Sequence, residues 1–118
     1  MRSDDVTDPS RGEIWVADFD PTRGHEQAGR RPALVVSVDP FNHGPAGLVI
    51  VLPLTTRGRG VFSHVMVSPP EGRVRSVSYI KCEDVRAVSK ERLSNRWGAV
   101  SPVTLSAVED HLRHLLGL

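Results

Sequence analysis

His25-Glu26-Gln27-Ala28-Gly29-Arg30-Arg31-Pro32-Ala33-Leu34-Val35-Val36-Ser37 changes character half-way along. Its first half is polar, titratable and flexible; its second is an apolar run rich in β-branched side chains. The pattern predicts a loop over 22–30 feeding a buried strand over 33–37. Arg31 stands at the junction, and Pro32 restricts it to extended backbone, so its side chain leaves from a stiff base. A guanidinium held that way suits an oxyanion, because its planar fork donates in two parallel directions and keeps its charge. An Arg-Pro pair can also be a plain surface cap on a strand. The company argues for more: His25, Glu26 and Gln27 share the loop, and Arg57 and Arg59 follow further on.

Outward from that strand the chain reads as a series of short strands. Residues 12–19 (GEIWVADF) form a first one, closed by the Asp20-Pro21-Thr22-Arg23-Gly24 turn. A loop over 39–47 leads to a third strand, 48–55, almost continuously apolar and therefore central. Residues 55–60 (TTRGRG) are a Gly-punctuated polar loop. Strands are expected at 62–67, at 77–80 and 82–88 (two, or one bent), and at 97–100, with a helical turn over 89–93. The end of the chain is a helix: Ser101 caps it, Pro102 takes its first position, and Leu105, Val108, Leu112 and Leu115 recur at helical spacing. Glu109 and Arg113 are spaced for an i,i+4 pair. Core packing is the expected role of Leu115, Leu116 and Leu118. The sum is mostly β with a C-terminal helix, a small SH3-like, partly open barrel.

Length and charge narrow the function. The 118 residues make one domain, 11–118, behind an acidic tail, 1–10, expected to be disordered. Net charge is only +1. Between Pro21 and Arg75, however, seven Arg face three carboxylates, Glu26, Asp39 and Glu71. That excess is compatible with a polyanion. Cys82 is alone, so no intrachain disulfide forms and a reducing, cytoplasmic setting is expected. No apolar run reaches membrane-spanning length. The five His and one Cys lack zinc-ligand spacing, the carboxylates are scattered, and there is no phosphate-cradling Gly loop. No metal or cofactor is therefore expected. What remains is Arg31, Thr55 and the His25-Glu26-Gln27 loop. If strands two and three are neighbours, Arg31 and Thr55 converge at one edge. Such a metal-free site can cut RNA, whose 2′-hydroxyl is its own nucleophile; the protein positions the phosphate, stabilises its added charge and moves protons.

Residues 24–35 (GHEQAGRRPALV) resemble the GxEQxGxRPxxV signature of the MazF/PemK toxin endoribonucleases. Residues 11–15 (RGEIW), 18–21 (DFDP) and 53–56 (PLTT) extend the likeness over 11–118. The resemblance implies a CcdB-type barrel, a homodimer, and metal-independent, sequence-selective cleavage of single-stranded RNA to a 2′,3′-cyclic phosphate and a 5′-hydroxyl. It implies a cognate antitoxin whose acidic, disordered C-terminal segment occupies the RNA groove. Carried over, the catalytic residues are Arg31, Thr55 and Glu26, with His25, Gln27, Arg30, Thr56, Arg57 and Arg59 on the RNA. His25 stands where many members have Ser, and Arg30 doubles the charge beside Arg31. The proton acceptor is Glu26 or His25: the first would be a weak base beside two Arg, while a histidine ordinarily titrates near ~6.5. Residues 69–83 are the least family-like, which leaves substrate selectivity open there. The alternative is a CcdB-like, non-hydrolytic toxin that binds a topoisomerase through an exposed C-terminal helix.

Overall fold

Strand β3, Leu48–Thr55, is the axis of the molecule, and its LVIVLPLT sequence explains why: both of its faces meet apolar partners. The computed structural model describes residues 8–20 and 29–118. On one edge β3 pairs antiparallel with β2, Arg30–Val35, through Ala33↔Pro53, Leu34↔Leu52 and Val35↔Val51. On the other it changes partner half-way. Its first half pairs with β6, Arg86–Ser89; its last two residues pair with β5, Ser78–Lys81. Pro53, with no N–H to give, falls between the two pairings, where a missing ladder bond does least harm.

β1, Glu13–Asp18, continues the sheet beyond β2, and β7, Leu93–Ala99, lies outside it. At the opposite end β4, His64–Val67, pairs with β5. β4 and β7 end the main strand order and β6 pairs with β3 alone, so among the described residues the sheet is antiparallel and open rather than a closed barrel. The expected fold class is observed: mostly antiparallel sheet with a C-terminal helix.

Alternation along β2 and β3 makes two cores. Leu34, Leu52 and Leu54 point to the side of Ile14, Ile80 and the C-terminal helix; Ala33, Val35, Val49 and Val51 point to Trp15, Ala17 and Phe19. The helix, α2, is Pro102–Leu116. Ser101 Oγ accepts from the Thr104 N–H at 3.2 Å, and Gly117 ends it in the left-handed conformation, φ 71°. Val108 is fully buried and Leu105 and Leu112 pack beside it.

Several local expectations change. β2 begins at Arg30, because Arg30 and Arg31 pair with Asp18 and Ala17 of β1, and it ends at Val35 rather than Ser37. The segment after it holds a one-turn helix, α1, Asp39–Asn42, whose buried Asn42 bonds Ser37. Between β5 and β6 the chain makes a 3-10 turn, Cys82–Asp84. Glu109 bonds Arg11 at 2.5 Å instead of Arg113, which turns to Asp110. Leu115, Leu116 and Leu118 are exposed rather than packed in the core. Residues 8–10 pack on the fold: Asp8 faces Lys90, Pro9 is buried, and the Ser10 N–H bonds Glu13. The remainder of the expected tail, 1–7, lies outside the described residues. Among the described residues no helix is long and apolar enough to cross a membrane.

Candidate active site

Arg31 and Thr55 come from neighbouring strands. Carrying the Ala33↔Pro53 register two residues further sets Arg31 opposite Thr55, and the two-residue period keeps both on one face of the sheet. They line a common cavity of about 530 Å³. Thr56, Arg57, Arg59 and Val61, from the loop that follows β3, form a second wall. His64, Lys81 and Glu83, from β4, β5 and the turn after β5, complete it.

The Thr55 side chain is almost buried, and its Oγ1 accepts from the Arg57 N–H at 3.1 Å. That bond occupies an acceptor position and leaves the hydroxyl proton to donate. The loop above it is pinned at Gly58, where a Cβ would come within 2.7 Å of the Tyr79 ring; only glycine lets the backbone lie so close. Arg57 and Arg59 flank that contact.

Glu83 is the one carboxylate among the described residues of the cavity. Ser63 Oγ donates to its Oε1 at 2.6 Å, and His64 Nε2 lies 2.9 Å from its Oε2. Burial raises the carboxyl's pKa. The bonds from Ser63, its own backbone N–H and His64 together outweigh that and hold it below the ordinary glutamate range. Asp84, next in sequence, turns away to Arg86 at 3.1 Å. His64 and Lys81 face each other across the β4–β5 register.

Cys82 is fully buried, and burial with the charge of Glu83 pushes its thiol up to about 12. A thiol in that state is a core side chain and no nucleophile at neutral pH. Among the described residues, no three His, Cys, Asp or Glu side chains are grouped to hold a metal ion.

Of the residues expected on RNA, then, Arg31, Thr55, Thr56, Arg57 and Arg59 are brought together. Arg30 is not: alternation turns it to a separate depression with Asp18, Glu91 and Arg92, where it donates to Ser94 Oγ at 3.1 Å. His25, Glu26 and Gln27 lie outside the described residues. Sequence reasoning misses His64, Lys81 and Glu83. The signal that finds them is the non-local β4–β5 pairing, which no short-range pattern carries.

The profile of the PemK-like, MazF-like toxins of type II toxin–antitoxin systems matches residues 10–116. The chain belongs to this family. It is similar to the endoribonuclease MazF9 of Mycobacterium tuberculosis, with 34% identity over 113 residues, 92% of this chain and 96% of that one. Its fold is that of the crystal structure of MazF from Deinococcus radiodurans, at a TM-score of 0.83 and 32% identity over 93% of this chain and 97% of the other. It also matches a MazE–MazF structure from the same organism, at a TM-score of 0.78 and 28% identity, covering 94% and 98%. These relatives span the cavity and the helix alike, so the likeness is to the whole domain.

Proposed function

We propose that this toxin-family member is an endoribonuclease that cuts single-stranded RNA without a metal ion. The observation that carries the reading is the meeting of Arg31 and Thr55, from adjacent strands, in one cavity with Arg57, Arg59 and Lys81. The substrate's 2′-hydroxyl attacks the adjacent phosphorus, the bond to the 5′-oxygen breaks, and a 2′,3′-cyclic phosphate and a 5′-hydroxyl remain. Arg31 spans two phosphate oxygens and stabilises the charge they gain. The Thr55 hydroxyl donates to the same phosphate. Arginine does not give up its proton at these pH values, so the 2′-hydroxyl proton passes to another group. Glu26 takes it in this reading, with His25 beside it. Arg57 and Arg59 follow the chain of phosphates, and Thr56 and Gln27 contact the RNA.

The resemblance adds a homodimer, a cytoplasmic site of action on cellular RNA, and an antitoxin whose acidic segment competes for the cationic cavity. The test is direct. Purified protein is incubated with a mixed RNA in EDTA, and both new ends are mapped. Cleavage with 5′-hydroxyl and cyclic-phosphate ends is expected; activity abolished by EDTA and restored by magnesium removes the reading.

One observation favours a second reading, the topoisomerase-binding toxin of the same fold. Leu116 and Leu118, at the end of α2, are 56% and 84% exposed, as a helix-tip binder requires. Such a binder has no use for the Arg31–Thr55 cavity. It would leave RNA intact in the assay above and inhibit a supercoiling reaction.

A further inference from the structure

Glu83 is out of place for a phosphate site. The charged groups that share its cavity are Arg31, Arg57, Arg59 and Lys81, all suited to an RNA backbone, and a carboxylate among them repels that backbone. It is also built in. Ser63, 4% exposed, and the His64 side chain, 6% exposed, clamp one oxygen each, while the Glu83 side chain stays 37% exposed to the cavity.

We infer that Glu83 is a specificity-determining residue, whose carboxylate accepts a hydrogen bond from the exocyclic amino group of an unpaired adenine, cytosine or guanine and excludes uracil. This rests on the endoribonuclease reading and goes beyond it. A carboxylate offers about four acceptor positions and no donor. Ser63 and His64 fill one on each oxygen from inside, and those that remain serve the cavity. Single-stranded RNA is read at the exposed edges of its bases. Adenine, cytosine and guanine each present an amino group there; uracil presents one N–H between two carbonyls, whose lone pairs meet those of the carboxylate. The bonds that hold Glu83 ionised suit a fixed acceptor better than a proton-accepting base, which works best with a pKa near the operating pH. Ser63 and His64 are positioning residues: each holds one carboxylate oxygen in place.

The experiment digests a randomised RNA pool in EDTA with the full-length protein and with E83Q, S63A and the double variant, then sequences the 5′-hydroxyl ends. Wild type should show one position near the cut where amino-bearing bases exceed uracil by about tenfold or more, the scale of a well-made base contact. E83Q should bring uracil there close to parity, because a glutamine amide also donates to a carbonyl. S63A should move the same position in the same direction, and the double variant no further than E83Q, as expected of residues acting through one group. Non-cleavable 2′-O-methyl oligomers carrying A or U at that position give the same comparison as binding constants, independent of turnover. Slowed cleavage by E83Q at every site, with base preference unchanged in both assays, overturns the assignment and leaves the endoribonuclease reading standing. An RNA pool left intact by wild type overturns both.

Discussion

In the proposed reaction Arg31 and Thr55 perform different parts of one step, and substitutions can separate them. The guanidinium supplies two parallel donors as well as charge, whereas lysine supplies a point charge. Arg31→Lys should therefore lose about 10²–10³ in single-turnover rate, the cost of removing one preorganised donor at an oxyanion, with unchanged thermal stability. A lysine variant near wild-type rate would show that charge alone suffices. For Thr55 the proposed working group is the hydroxyl, whose oxygen accepts from the Arg57 N–H at 3.1 Å. Serine keeps both the acceptor and the donor; alanine keeps neither. Thr55→Ser should retain most of the rate and Thr55→Ala should fall with Arg31→Lys. Equal loss in both Thr55 variants would make the methyl, and hence packing, the reason for Thr55.

Elements differ in how much of their shape their own residues dictate. β3 and α2 are legible from sequence because their signals are local: an unbroken apolar run in one, a Ser-Pro start and a helical stripe in the other. The start of β2 is not, because Arg30, Arg31 and Pro32 carry no strand pattern and become strand only by pairing with Asp18, Ala17 and Val16. β7 likewise runs from Leu93, well before the expected Trp97, through a polar, edge-exposed Ser94-Asn95-Arg96. The candidate site divides the same way. Arg31 and Thr55 follow from sequential strands being neighbours, while His64, Lys81 and Glu83 depend on long-range pairing. The turn over Glu71–Arg73 has a local constraint that sequence hides: Gly72 has φ 61°, and a Cβ on it would lie 2.5 Å from Ile14 Cδ1, in the core. Gly72→Ala combines left-handed strain, roughly 1–2 kcal/mol, with overpacking of roughly 1–3 kcal/mol. Gly117→Ala, at φ 71° with open space around it, carries the strain alone. Thermal melts should show Gly72→Ala lowered by at least ~8 °C and clearly more than Gly117→Ala. Equal shifts would mean that Ile14 moves aside freely and the contact is unimportant.

For the proposed substrate, the cavity that one copy forms among its described residues is a short track. One cavity gathers Arg31, Arg57, Arg59 and Lys81, while single-strand tracks on comparable small β folds hold about 4–16 nucleotides. A second copy related by a two-fold axis doubles the track without new residues, and a self-complementary interface is the commonest way small proteins assemble. Surface is available for it: Val103 and Leu116 on α2, Leu118 just beyond it, Phe62 before β4 and Met66 within β4 are exposed apolar side chains that water solvates poorly. The functional unit is therefore expected to be a homodimer at micromolar concentration. Sedimentation velocity across a dilution series should show a monomer–dimer equilibrium, and specific cleavage activity should fall along the same curve as the dimer fraction. Activity per chain that stays constant into the range where only monomer sediments would show that one copy carries a complete site, and that the RNA track ends at its own cavity.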